Sequence, residues 1–413
     1  MDVVVARCAG LDVHRDTVVA TVRIAGRGRA RTRRETRTFS TMGADLLDLG
    51  DWLTAQKVTL VGMESTGVYW KAPYYLLEDQ VERCWLLNPQ HMRNVPGRKT
   101  DVGDSVWIAD LLAHGLVRPS AVPPRPIRDL RDLTRYRRRL VEARTREVQR
   151  LDKVMQDAGI KLTSVASRLL SKSGLAMIEA MAAGVSDPDE LAELAQGRLR
   201  AKIPELRLAL AGRFRVGHHG LLARRILAHV RFLEASIDDL DTQIDRLIAP
   251  FAPMLELVMT IPGVARTAGI CLIAEVGVDM TIFPSAGHLA SWAGICPGNN
   301  ASGGRQRSGR TRRGPVWLRT ALTEAAHAAA RTKGTYLAAH HAQIRGRRGT
   351  AKAVGATRHD ILCAYWHILA TGVPYQDLGP DWIRSPQSVD AHARRLVAQL
   401  EALGKKVTLH DAA

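Results

Sequence analysis

Residues 8–25 read CAGLDVHRDTVVATVRIA. Cys8–Val13 and Thr17–Ala25 are apolar, β-branched runs, and the polar step between them suits a tight turn, so they predict two joined strands. Thr36–Thr41 continues as a third. The period then changes. Ala44–Ala55 is an amphipathic helix and Thr59–Glu64 a nearly continuous apolar strand. Val68–Glu78 reads as a helix, Arg83–Leu87 as a short strand, and about Val102 to His114 as a last helix. The order βββαβαβα predicts an α/β domain over residues 1–118, a mixed sheet with helices on its faces. The Pro-rich run Pro119–Pro126 reads as a linker, residues 119–126.

Four acids stand out in this first domain. Asp12 ends the first strand in GLDVH, and Glu64 ends the fourth in VGMESTG. Adjacent parallel strands would bring both carboxylates to one end of the sheet. Asp101 and Asp104, in KTDVGDS, are three apart at the expected start of a helix and would share one face. Four converging carboxylates would bind hard divalent ions, with Mg²⁺ the expected metal. A pair of such ions activates attacking and leaving oxygens in phosphoryl transfer. Taken singly, each acid has an ordinary reading. Asp101 and Asp104 could complement a helix dipole with Thr100 as N-cap, and Asp12 could be a turn residue. The combination in this strand order is more specific than any member. An actin-like sugar kinase would also place Asp in GLDVH, but needs phosphate-binding glycine loops that the sequence lacks.

Beyond the linker the period is helical. Leu133, Tyr136, Leu140, Ala143, Val148, Leu151, Met155 and Ala158 form one apolar stripe. Ile226, Val230, Leu233, Ile237, Leu240, Ile244 and Leu247 form a second, a heptad seam spaced 4, 3, 4, 3, 4, 3. Two long helices bracketing residues 160–215 predict an antiparallel coiled-coil stalk with a helical tip over residues 127–250, suited to self-association. Residues 251–340 form a mostly helical unit, and 341–413 a helical segment with a basic tail.

In IPGVARTAGICLIAE (261–275), the turn at Gly263 suggests a helix–hairpin–helix, whose backbone N–H groups could grip a phosphate. The run Pro297–Pro315 reads as a Gly/Arg-rich loop. It carries Ser302 and Gly303, then Arg305, Arg307, Arg310, Arg312 and Arg313, with Arg319 on the helix beyond. A serine hydroxyl needs a base or a metal to become a nucleophile, and no His or Asp adjoins Ser302. Spacing alone favours a phosphate-binding loop; glycines that admit a phosphate and arginines that stabilise a charged transition state keep the nucleophile reading open.

The 413 residues suffice for two to four domains. Aromatics make up only 5%, so the cores should be aliphatic and helix-rich. Lys and Arg number 59 against 41 Asp and Glu, a net +18 that points to a polyanionic partner. The surplus lies in 27–37, in 125–153 with eleven basic residues against five acids, and in 302–352 with twelve against Glu324 alone. No run of about 18 uncharged apolar residues exists, which excludes a spanning helix and any membrane role of that kind. The start, MDVVVARCAG, lacks a signal peptide's basic region and cleavage site and reads as structure. Cys8, Cys84, Cys271, Cys296 and Cys363 are scattered, without zinc spacing, and fit a reducing cytoplasm.

As a set, GLDVH, MESTGVYW, GRKTDVGDSVWIADLLAHGLV, IPGVARTAGICLIAEVG, FPSAGHLASWAGICPGNNASGG and GRTRRGPVWLRTALTEAA resemble the insertion-sequence one-ten family of DEDD transposases, which includes the pilin-gene invertases. The resemblance implies an RNase H/RuvC-like N-terminal domain whose four acids fall on Asp12, Glu64, Asp101 and Asp104, with the catalytic serine on Ser302. It further implies a composite site shared between protomers of a dimer or dimer of dimers, and a covalent phosphoserine link to DNA. Donor and target DNA would both be substrates, with sites chosen by a structured noncoding guide RNA from the element itself. Two other readings compete: a metal-dependent nuclease using the acids alone, and a non-catalytic nucleic-acid scaffold.

Overall fold

The computed structural model describes residues 2–26, 31–64, 67–89, 92, 103–297, 300–302, 305–308, 311–383 and scattered positions from 394 to 407. The chain divides into two units, Met1–Val122 and Pro123–Ala413.

The first unit holds β1 (Arg7–Val13), β2 (Thr17–Ile24), β3 (Arg33–Ser40), α1 (Gly43–Ala55), β4 (Leu60–Glu64), α2 (Lys71–Leu77), β5 (Arg83–Leu87) and α3 (Asp104–Ala113). The five strands form one sheet in the order β3-β2-β1-β4-β5. β1 pairs antiparallel with β2, and β2 with β3, while β4 runs parallel to both β1 and β5. This is the expected mixed sheet, and its topology is compatible with an RNase H-like domain. Leu46, Leu49 and Leu53 of α1 pack on one face with Leu11, Val18 and Val61. Ile108, Leu111 and Leu112 of α3 pack with Cys8, Leu60 and Leu87. β3 starts earlier than Thr36 because its outward positions are arginines in salt bridges. Arg33 and Arg37 bind Glu35, and Arg34 binds Asp110 of α3. Part of the 27–37 charge is therefore structural.

The second unit begins with α4 (Arg125–Asp157), with Pro126 in its first turn, where the missing N–H costs nothing. After the short α5 (Leu162–Val165) come α6 (Lys172–Ala183), α7 (Pro188–Glu193) and α8 (Ile203–Leu210), which share a core of Leu151, Met155, Met177, Ile178, Leu206 and Leu227. α9 (Leu221–Ile248) returns along α4 in the antiparallel sense. Arg137 forks onto Asp241, Arg144 binds Glu234, and Leu140 packs with Leu233 and Ile237. A further helical set follows: α10 (Ala252–Met259), α11 (Arg266–Val276), α12 (Ala286–Trp292), α13 (Val316–Ala329), α14 (Tyr336–Arg348) and α15 (Thr350–Thr371). Between α12 and α13, β6 (Asn300–Ser302) and β7 (Arg305–Ser308) form an antiparallel pair, where the sequence suggested an irregular loop.

The arginines of α4 are largely committed within the fold. Arg135 forks onto the buried Glu275 of α11 at 2.7 and 2.8 Å. Arg131 donates to the last carbonyls of α11, at Ala274 and Glu275. Arg138 binds Glu324, and Arg139 lies over the Trp317 ring. Much of the 125–153 charge thus fastens α4 to α9, α11 and α13. No described helix is long and apolar enough to cross a membrane.

Candidate functional site

The first-unit site is built by two glycines. Gly10 of β1 and Gly62 of β4 are register partners. A Cβ at Gly10 would lie 2.2 Å from the Ser105 carbonyl oxygen and 2.5 Å from the Ala109 nitrogen, both backbone atoms of α3. The bare glycine lets α3 seat directly on β1. The helix runs antiparallel to that strand, because the Ala113 carbonyl at its far end accepts from the N–H groups of Val4 and Val5. Its N-terminus therefore lies at the carboxyl end of β1, where Asp12 is. Thr21, fully buried, fixes this end. Its Oγ1 lies 2.8 Å from both Ser105 Oγ and Thr36 Oγ1. We expect Gly10→Ala to push α3 off the sheet and to lower stability by about 3 kcal/mol, measured as the shift in a urea unfolding midpoint.

Asp12 lies one residue beyond the β1–β4 register pair Leu11–Met63, and Glu64 stands beside it at the end of β4. Both are half-buried, and His14 Nε2 approaches Asp12 Oδ2 at 3.2 Å. Asp104 begins α3, half-buried, where the positive end of the helix favours a carboxylate. The structure thus gathers Asp12, Glu64 and Asp104 at one end of the sheet. Asp101 lies outside the described residues. Among the described residues the helix starts at Asp104, with Gly103 as its N-cap. Sequence reasoning missed Gly10, Gly62, Thr21 and Ser105. The two glycines in pairing strands were the available signal, since strand interiors disfavour Gly unless a backbone comes close.

In the second unit Ser302 ends β6 and faces Arg305 at the start of β7. Arg307 lies on β7, whereas Gly303 and Arg310 lie outside the described residues. Arg312 is held by Ser291, whose Oγ and carbonyl accept from its guanidinium. Arg313 and Arg319 are exposed. Gly263 turns the chain between α10 and α11 with φ +88°. A Cβ there would lie 2.4 Å from the Ala329 nitrogen and 2.5 Å from the Ala325 carbonyl oxygen. This glycine is required for close packing on α13, independently of any phosphate.

Among the described residues, Asp157, His218 and His219 bring metal-ligand side chains together, at the α4–α9 end remote in sequence from the four acids. His219 Nδ1 accepts from the Arg215 backbone N–H at 3.0 Å, so Nε2 carries the proton and faces Asp157 Oδ2 at 3.0 Å. A ring using both nitrogens this way has no lone pair for a metal. The trio is a structural clasp. All five cysteines are free, and burial pushes the Cys8 thiol up to about 11 and Cys84 to about 12, away from reactive thiolate chemistry.

Two family models match the chain. The DEDD transposase model of the IS110 type covers residues 9–160, and the transposase IS116/IS110/IS902 family model covers residues 255–342. A probable family 20 transposase of Pseudomonas aeruginosa is 28% identical over 276 residues, 66% of this chain and 71% of that protein. The transposase for insertion sequence element IS1111A of Coxiella burnetii is 24% identical over 245 residues, 59% of this chain and 58% of that protein. The first model spans the sheet with Asp12, Glu64 and Asp104, the second the hairpin with Ser302, and together they account for more than half of the sequence. The chain belongs to the IS110 family of transposases.

Proposed function

We propose that this transposase cleaves and rejoins DNA through a covalent Ser302–DNA phosphodiester. The observation that carries this reading is the convergence of Asp12, Glu64 and Asp104 at one sheet end, in a chain whose second matched region contains Ser302. In the chemical step the Ser302 oxygen attacks a DNA phosphorus and loses its proton to a base. The ester bond to one deoxyribose oxygen breaks, and that oxygen takes up a proton. In the return step a deoxyribose hydroxyl of the new strand attacks the same phosphorus and releases the serine. Each step exchanges one phosphoester for another, so no nucleotide hydrolysis is needed.

The described donors fit a divalent cation: half-buried carboxylates, with the His14 imidazole at the rim of Asp12. Asp12, Glu64, Asp104 and Asp101 would hold Mg²⁺, which when bound supplies charge stabilisation at the reacting phosphate. Arg305, Arg307, Arg310, Arg312, Arg313 and Arg319, with the Gly263 turn and Gly303, would orient the DNA backbone. The serine of one protomer would work with the carboxylates of another, in a dimer or dimer of dimers joined through the α4–α9 pair as a coiled-coil stalk. A structured RNA from the element's own noncoding end would choose donor and target sites by base pairing, in the cytoplasm of the host cell. Residues 1–118 then form the acid-bearing domain, 127–250 the stalk, and 251–340 the serine-bearing domain.

The test is capture of the wild-type protein on DNA spanning the element's ends, in the presence of that RNA and Mg²⁺. A protein–DNA species that survives denaturation and yields phosphoserine at position 302 is expected. Strand breakage without such a species would instead favour a nuclease using the acids alone.

A further inference from the structure

α13, α14 and α15 meet along a face crowded with positive charge. On α13, Arg319, Thr323 and His327 recur every four residues and so lie in one row. Arg358 of α15 reaches this row, its Nη1 donating to Thr323 Oγ1 at 3.4 Å. Its Nε is sealed from solvent and has no hydrogen-bond partner among the described residues. His341 of α14, 5% exposed, contacts Thr357 of α15 through Nδ1 at 3.0 Å. Each acid carried by these helices has a partner other than Arg358. Glu324 binds Arg138 of α4, and Asp360 binds His340 at 2.7 Å. Asp360 raises the His340 imidazole, whereas Arg358 and His341 shift the other way. Arg358 is held below the usual guanidinium range by burial and by Arg319, and His341 is held down by burial, Arg345, His327 and His340.

A half-buried guanidinium packed beside another cation, with a buried N–H unpaired, is costly to the fold. Such a group is retained where a ligand brings the missing negative charge. We propose that Arg358 and Arg319, with Thr323 positioning Arg358, form a binding site for a phosphodiester phosphate of a nucleic-acid backbone. It lies on α13 and α15, outside the Ser302 hairpin, and includes a segment in which the sequence shows no motif. The two guanidinium groups would take the phosphate oxygens between them, while the Thr323 hydroxyl, which donates to the Arg319 carbonyl at 2.6 Å and accepts from Arg358, would hold the pair in place. This rests on reading the chain as a nucleic-acid-processing protein, but not on the serine chemistry.

The test measures binding of the full-length protein to a short DNA duplex and, separately, to an RNA hairpin, between about 50 and 200 mM salt. For Arg358→Met we expect affinity to fall about tenfold at the low-salt end, and the slope of log K against log salt to shrink by about one. The melting temperature should stay unchanged or rise, because an uncompensated buried charge has been removed. Arg358→Lys should retain part of the binding. Loss on the DNA arm assigns the site to DNA, and loss on the RNA arm alone assigns it to RNA. An unchanged slope on both arms overturns the proposal, as does a lower melting temperature with unchanged binding, which would make Arg358 structural. Should Arg358→Met fail to fold, the exposed Arg319→Gln carries the same expected slope change and the same overturning result. Binding that responds to Arg358 while wild type forms no covalent adduct would sink the serine reading and leave this site standing.

Discussion

Alanine in place of Ser302 is expected to abolish the covalent protein–DNA adduct and to cut strand exchange on the order of 10⁴-fold or more. Binding of DNA and the melting temperature should not change. Ser302 is the last residue of β6, at the edge of a two-stranded hairpin, and Ser→Ala removes one oxygen without altering backbone preference enough to disturb that pairing. The loss would then be specific to the bond proposed for Ser302. A general acid or a phosphate-binding group would behave differently. Deleting one hydrogen bond to a phosphate weakens binding by about 1.5–3 kcal/mol, whereas deleting a nucleophile removes the intermediate itself. Strand exchange or an adduct surviving in the alanine variant would assign the chemistry to the carboxylates alone. The measurement is a denaturing gel of the reaction, with phosphopeptide mapping of any retained species.

The second large effect concerns the acids. Asp12→Asn and Asp104→Asn should each lower strand exchange on the order of 10³-fold, with little change in stability. Amide and carboxylate have nearly the same shape, so β1 and α3 should keep their places, while one anionic oxygen donor is lost. Asp12 and Asp104 reach the site from different elements, one from the strand and one from the helix laid against it at Gly10. Equal losses from both would show that the two elements serve one centre. Exchange at wild-type rate in either variant would remove that acid from the mechanism. A rise in the Mg²⁺ concentration needed for half-maximal rate would identify the defect as one of metal retention.

The sheet was legible because its residues announce their period. The β1–β2 hairpin, the apolar run of β4 and the helical spacing of α1 each follow from burial on one face or two. Arg83–Leu87 coincides with β5. Boundaries were misplaced where ion pairs, and not apolar contacts, stabilise the element. Arg33 and Arg34 fell outside the expected strand because nothing local reveals that Asp110, far along the chain, waits for Arg34. For the same reason the arginines of α4 looked like a surface for a polyanion. Their partners Asp241, Glu275 and Glu324 lie on helices more than 100 residues away. Three of the four acids could be located from strand ends and motif spacing. The glycines and hydroxyls that hold α3 in place could not, since their role appears only once two backbones meet. The hairpin of β6 and β7 was hidden by a composition of Gly, Ser and Arg that usually marks irregular chain.

The ion pairs along α4 and α9 have one further consequence. Arg137 with Asp241 and Arg144 with Glu234 are separated by seven residues on each helix, in opposite directions. Seven residues make close to two turns, about 10 Å of length. Excising one such step from both helices together would bring the same kinds of residue back opposite each other. Excising it from one helix alone would leave every later pair out of phase. The two pairs therefore fix the register of α4 against α9, which a matched loss of about 10 Å from both helices would preserve and an unmatched one would not. Paired seven-residue deletions should accordingly yield folded protein, and single ones should not.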